Sequence, residues 1–305
     1  MCDLKDWSSK YLYACQYQKG LDQKTLKAYR IDLNQFTEFI EGSALELTKD
    51  SVVLYISELQ KKYMPRSIRR KIASIKAFCS YLEYEEMLPE NPFAKLRIKL
   101  TPPQILPRTI PLLVIEKILS TAYQQKRKNL SERQRKATLR DIAVLELLFA
   151  TGIRVSELCC LKYSDIRLAE GEVKIYGKGA KERFVQITSP SVLQALNDYK
   201  DANIQAIDKT GSFFVNRCQK QLSDQSVRGI VSKYAKLAGI DLHITPHMFR
   251  HSFATLLLEE DVDIRYIQRL LGHSSIVTTQ IYTHVAGKKQ RDILATKHPR
   301  NRMKF

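Results

Sequence analysis

The stretch from Leu88 to Pro111 sets the architecture of this chain, because Pro89, Pro92, Pro102, Pro103, Pro107 and Pro111 all fall within it. Proline lacks a backbone N–H and clashes with the preceding turn, so no helix continues through such a stretch. The sequence therefore divides in two. Residues 1–88 are expected to form one domain, 89–110 an extended linker, and 111–305 a second domain ending in a tail over 286–305. A length of 305 residues suits two domains of ordinary size.

The first part reads as helical throughout. Leu26, Tyr29, Leu33, Phe36 and Ile40 recur at spacings of three and four, which is one face of a helix over Thr25–Ile40. Val52, Val53, Ile56 and Leu59 repeat the pattern in Thr48–Lys62. A further helix opens at Pro65, where a missing N–H does no harm, and buries Ile68, Ile72, Ile75, Cys79 and Leu82. With a first helix from about Leu4 to Gln18, this makes a small four-helix domain. Arg66, Arg69, Arg70 and Lys76 fall largely outside the apolar stripe and form a basic ridge facing away from the core.

The second part mixes periods. Leu112–Gln125, Leu139–Ala150, Ser189–Ala206, Ser223–Ala238 and Pro246–Glu259 are helix-like, and Glu172–Tyr176 and Arg183–Ile187 alternate like strands around a Gly177-Lys178-Gly179 hairpin. The fold class is mainly α with one small antiparallel β-sheet, an α+β arrangement.

Charge gives the first functional clue. Fifty Lys and Arg against 32 Asp and Glu leave +18, of which +4 lies in residues 1–100 and +14 in 101–305. A folded domain so basic usually faces a polyanion. The basic stretch Lys126–Lys136 reads as a DNA-contacting loop or a surface excursion, and Lys95, Arg97, Lys99 and Arg108 as a strap along a phosphate backbone or a solvated linker.

Several classes are excluded. No apolar run is long enough to span a bilayer and no secretory leader opens the chain, which leads us to expect a cytoplasmic protein with no membrane partner. Cys2, Cys15, Cys79, Cys159, Cys160 and Cys218 form no CxxC pair and have no histidine at ligand spacing, so neither a disulfide framework nor a zinc site is expected. There is no GxxxxGK[ST], no acidic cluster for paired magnesium ions and no GxSxG elbow. No metal and no cofactor is expected.

Five short segments carry candidate chemistry. Thr245-Pro246-His247-Met248-Phe249-Arg250 offers an N-cap, a proline in the first turn, and His and Arg one turn apart; it reads as a phosphate site at a helix N-terminus or as an ordinary capped surface helix. Arg154, just after the Gly152 helix stop, either turns inward toward a ligand or pairs with Glu157. Lys178 sits at a hairpin tip, where exposed lysines are common. Leu271-Gly272-His273 looks like a helix end capped by glycine, and Tyr282 is one of 15 tyrosines.

Order and spacing together say more than each segment alone. ATGIRVSEL, GKGAKERFV, TPHMFRHSFAT, LLGHSSI and TTQIYTHV resemble the signature segments of the tyrosine recombinases, or phage integrases, and the size resembles the Xer-like branch. The resemblance covers the chain from about residue 111 onward and extends loosely to the helical part, which is similar to the family's core-binding domain. It implies a C-shaped two-domain clamp around duplex DNA and a site-specific recombinase that works without metal or ATP. It also implies a catalytic set of Arg154, Lys178, His247, Arg250, His273 and Tyr282, with Tyr282 the nucleophile that forms a 3′-phosphotyrosyl bond. DNA contacts are expected from Arg66, Arg69, Arg70, Lys76, Lys95 and Arg97. The implied partners are double-stranded DNA carrying inverted half-sites and three further copies of the chain, in a tetramer on two sites, with Ile293 and Leu294 of the tail docking on a neighbour. A type IB-like topoisomerase and a non-cleaving DNA-binding regulator of the same fold are the alternatives.

Overall fold

The computed structural model describes residues 4–97, 108–177 and 182–272. The chain separates into two compact units, residues 1–105 and 106–305.

The first unit contains helices α1 (Leu4–Tyr17), α2 (Gln23–Gly42), α3 (Lys49–Lys62) and α4 (Pro65–Tyr84). Each start has a local cause. Asp22 accepts a hydrogen bond from the backbone N–H of Thr25, Thr48 and Ser51 form a reciprocal capping box, and Pro65 occupies the first turn of α4. The apolar stripes meet in one core in which Tyr11, Leu33, Phe36, Ile75 and Phe78 are fully buried, as is Cys79. The edge of the Tyr55 ring meets Phe36 at a centroid distance of 5.1 Å. The path after α4 differs from an extended linker at its start. Asn91 Oδ1 accepts from the Phe93 N–H, the Asn91 N–H donates to Glu83, and the Phe93 ring joins the helical core. An Asx-type turn thus keeps residues 91–96 on the unit despite Pro89 and Pro92.

This core also holds a charge. Asp32 on α2 is fully buried and accepts from Lys71 at 3.0 Å and Ser74 at 3.1 Å, both on α4, and it pairs with Arg70. Lys71 is itself only 3% exposed. Its ammonium also reaches Gln35 at 2.5 Å and lies over the Tyr63 ring at 4.7 Å. The α2–α4 packing therefore depends on a carboxylate whose removal strands a buried ammonium.

In the second unit the described residues form α5 (Leu112–Lys126), α6 (Glu132–Thr151), α7 (Val155–Cys159), β1 (Ile166–Arg167), β2 (Glu172–Tyr176), β3 (Glu182–Gln186), α8 (Pro190–Thr210), α9 (Asp224–Leu237), α10 (Pro246–Glu259) and α11 (Ile264–Leu271). The sheet is antiparallel in the order β1-β2-β3, with Val173 opposite Val185 and Ile175 opposite Arg183. Helix α6 is the centre of the unit and packs against α5, α8, α9 and α10. Ile142 through Leu148 are buried without a break, so this part of the helix shows no exposed face, whereas its first turn, Glu132 to Arg135, is exposed.

The basic stretch 126–136 is a short loop, residues 127–131, between the end of α5 and the first turn of α6. Ser131 caps the backbone N–H of Gln134, and the Gln134 side chain returns a bond to Ser131, so α6 begins at Glu132, well ahead of its apolar run.

The Asp32 cluster gives a stability prediction. Asp32→Ala should destabilise the helical unit by about 3–5 kcal/mol, because it leaves a buried ammonium uncompensated. Asp32→Leu combined with Lys71→Met should recover most of the loss. Urea titrations of the full chain, followed by tryptophan fluorescence from Trp7, measure both; equal losses in the single and double variants would refute the account.

Candidate active site

Four of the signature segments meet at the C-terminal end of α11. A helix leaves its last carbonyls without intrahelical partners, and its C-terminus carries partial negative charge. Here three successive carbonyls are each taken by a different arginine. Leu270 O accepts from Arg183 Nε at 3.1 Å, Leu271 O from Arg250 Nη2 at 2.7 Å, and Gly272 O from Arg154 Nη2 at 3.1 Å. The arginines come from β3, from α10 and from the turn between α6 and α7.

Arg250 is the deepest of the three, at 5% exposure. Its Nη1 donates to Gly152 O at 2.8 Å, so the guanidinium bridges the C-termini of α6 and α11. Gly152 ends α6 in the left-handed conformation at φ +58°, and a Cβ on it would lie 2.7 Å from Phe253 Cδ1 and 2.8 Å from Leu271 Cδ2. Only glycine allows both the turn and the close approach of α10 and α11.

Arg154 is the N-cap residue of α7 and makes the Glu157 pair, one of the two arrangements the sequence left open. Its backbone N–H donates to Glu157 Oε2 at 3.0 Å and its Nη1 to Oε1 at 2.6 Å, while Nη2 reaches across to Gly272. Glu157 is 7% exposed and also receives both Nη groups of Arg183, at 2.9 and 2.7 Å. Burial alone would raise its carboxyl pKa. Hydrogen bonding and charge from Arg183, then bonds from Arg154, outweigh that and hold it below the ordinary carboxylate range.

Helix α10 starts as the sequence reading expects, with Thr245 at the N-cap and Pro246 in the first turn, although the Thr245 side chain makes no cap hydrogen bond. His247 is exposed at this N-terminus while Arg250 turns inward. Partial desolvation, then the positive charges of Arg228, Arg250 and Arg154, lower the His247 pKa against the pull of Asp224. His251, one turn on, is lowered by burial, His247 and Arg250. A neutral imidazole can accept a proton, and the arginines can hold an oxyanion.

Gly272 caps α11 at φ +64°, as the Leu271-Gly272-His273 pattern indicates. Lys178, His273 and Tyr282, with Lys99, Ile293 and Leu294, lie outside the described residues. Among the basic residues singled out in the first unit, Arg66, Arg69, Arg70, Lys76, Lys95 and Arg97 are all exposed. Two of them already have carboxylate partners: Arg70 pairs with buried Asp32, and Lys95 with Glu90 at 2.8 Å. The segment motifs did not single out Arg183, and Glu157 appeared only as a partner for Arg154. A signal for Arg183 exists in β3, where Arg183 falls in phase with inward Val185 and Ile187 while Phe184 is half exposed.

A mainly helical domain carrying this arginine cluster has counterparts of known type. The Phage integrase family model matches residues 115–289, and the phage integrase N-terminal SAM-like domain matches residues 9–86. The chain belongs to the phage integrase family, the tyrosine recombinases, and is an enzyme of that class. It is 54% identical to a tyrosine recombinase of Agathobacter rectalis, over the full length of both chains. It is 35% identical to the tyrosine recombinase XerD of Listeria innocua, over 97% of this chain and 100% of the relative. A solved structure of the XerH site-specific recombinase, in a post-cleavage complex with a palindromic substrate, shares the fold with a TM-score of 0.76 at 21% identity, covering 95% of this chain and 84% of that one. No helix among the described residues is long and apolar enough to cross a membrane.

The depressed His247 value is directly measurable. In an NMR titration of the DNA-free protein its imidazole should titrate below the ordinary value of about 6.5. Because the folded state disfavours the charged form, this histidine's contribution to stability is lost as pH falls from that value through the lowered one. A titration at or above the ordinary value would contradict the site electrostatics.

Proposed function

We propose that the protein is a site-specific DNA recombinase that cleaves and rejoins strands through a 3′-phosphotyrosyl bond to Tyr282. The observation that carries this reading is the convergence of Arg154 and Arg250 on the last turn of α11, immediately before His273 and ten residues before Tyr282 in the chain. Attack on a phosphodiester gathers negative charge on the non-bridging oxygens, which fixed guanidinium forks stabilise at any working pH. Arg154 and Arg250 act on those oxygens, and His273 adds a third donor.

The Tyr282 oxygen attacks phosphorus while the bond from phosphorus to the 5′-oxygen breaks. A phenol with a pKa of about 10 must lose its proton on the way, and His247, kept neutral by its surroundings, receives it or positions the hydroxyl. Lys178 on the hairpin gives a proton to the departing 5′-oxygen. The new ester keeps the energy of the old one, so a 5′-hydroxyl from the second duplex can reverse the step without ATP. Arginines supply the charge stabilisation, and the mechanism calls for no metal and no cofactor.

The DNA partner is a duplex with inverted half-sites, and four protomers act on two such sites in the cytoplasm. The XerH recombinase bound to its palindromic difH substrate supports a DNA substrate, and a solved lambda integrase tetramer bound to a Holliday junction supports the assembly. Affinity comes mainly from phosphates and falls with salt. The exposed α4 ridge of Arg66, Arg69 and Lys76 contributes to it, with Arg97; Arg70 and Lys95 contribute where DNA competes with their carboxylate partners.

A nicked suicide duplex carrying the site tests this. In the presence of EDTA the wild type should form a denaturation-resistant adduct, Tyr282→Phe none, and Arg154→Ala none while keeping most DNA binding. An adduct that survives Tyr282→Phe, or that requires magnesium, would overturn the mechanism. Pairing of two sites separates recombination from the DNA relaxation of a topoisomerase.

A further inference from the structure

Arg183 has no part in the chemistry above, yet it is bonded into the site's frame at both Glu157 and the end of α11. Its side chain is 12% exposed. Both Nη groups grip the two oxygens of Glu157, and Nε turns the other way to the carbonyl of Leu270. The rest of the guanidinium lies against Gly272, where a Cβ would come within 2.9 Å of Nη1 and 3.0 Å of Cδ. One planar cation thus joins three pieces of chain: β3, the carboxylate that holds Arg154, and the last turn of α11.

Lysine could neutralise Glu157 but could not reach acceptors in two directions with fixed geometry. Nor is net stability a sufficient reason for the group, since a buried ion pair can often be replaced by apolar residues at little or no cost. The arrangement is better suited to fixing orientation. Glu157 binds the Arg154 backbone and side chain together, so any rotation of the carboxylate swings the Arg154 guanidinium. β3 begins directly after the hairpin that carries Lys178, and Gly272 directly precedes His273.

We propose that Arg183 is a positioning residue for strand cleavage: by clamping Glu157 and the end of α11 together, it sets the direction in which Arg154 presents its guanidinium to the phosphate and fixes the point at which the chain leaves toward His273. This rests on the recombinase reading of the site.

The test uses the full chain and one DNA probe, a nicked duplex selected from a randomised inverted-repeat library by covalent capture on the wild-type protein. Arg183→Gln, Arg183→Lys, Glu157→Gln and the Arg183→Gln/Glu157→Gln double variant are compared in the first-order rate of adduct formation, the Kd for the uncleaved duplex, and thermal melting. Arg183→Gln should slow adduct formation by about 10–100-fold, as misplacement of a catalytic group does, with Kd within about threefold of wild type. Arg183→Lys should recover part of the rate, and the double variant should be no slower than the slower single variant. Parallel loss of rate, binding and melting in both the Gln and the Lys variants would make the residue a structural one and overturn the proposal, as would a wild-type rate in Arg183→Gln. Capture of no duplex by the wild type would instead refute the recombinase reading, and this proposal with it.

Discussion

The site is organised around three backbone carbonyls. Leu270, Leu271 and Gly272 end a helix, so their oxygens have no partners within it and sit where the helix dipole is negative. Arg183, Arg250 and Arg154 each take one. This brings β3, α10 and the α6–α7 turn to a single point, and it explains why residues far apart in sequence can share a site. The fold does not deliver the arginines to a finished pocket. Their attachment to α11 is what brings the three guanidinium groups together.

That attachment requires close approach, and two glycines permit it. At Gly152 the left-handed turn ends α6 and leaves room for Phe253 and Leu271; at Gly272 it ends α11 and leaves room for the Arg183 guanidinium. Gly152 O then becomes the second acceptor of Arg250. The same residue therefore terminates a helix, opens space and supplies a hydrogen-bond acceptor. Helix α6, buried over most of its length, gives this corner a fixed base.

Much of this was legible in the sequence because it rests on local rules. The 3.6-residue stripes of α2, α3 and α4, the alternation of β2 and the Thr245–Pro246 start of α10 are short-range signals, and the structure places elements there. The glycine caps at Gly152 and Gly272 were legible for the same reason. Where the reading fell short, the cause was polar residues acting over distance or at helix ends. α6 starts at Glu132 because of a Ser131–Gln134 capping box beneath a basic, loop-like composition. Asp32 matches no local motif, yet it is fully buried with Lys71 and Ser74 of α4 bonded to it. Arg183 lies 26 residues from Glu157, a pairing that no periodicity encodes.

The choice of acceptors also bears on how the site can treat a phosphate. A carboxylate partner fixes a guanidinium but cancels its charge, whereas a carbonyl fixes it and leaves the charge in place. Arg250 is oriented by two carbonyls, and Arg154 and Arg183 share the single carboxylate of Glu157. Three arginines thus gather around one glutamate, Arg250 and Arg183 largely buried and Arg154 partly open to solvent. Low local dielectric strengthens the attraction of buried guanidinium groups for an anion. Partial desolvation and the charges of Arg228, Arg250 and Arg154 likewise disfavour the protonated form of His247. In the proposed reaction one electrostatic arrangement would serve two demands, because positive charge that stabilises an oxyanion also keeps a nearby imidazole neutral.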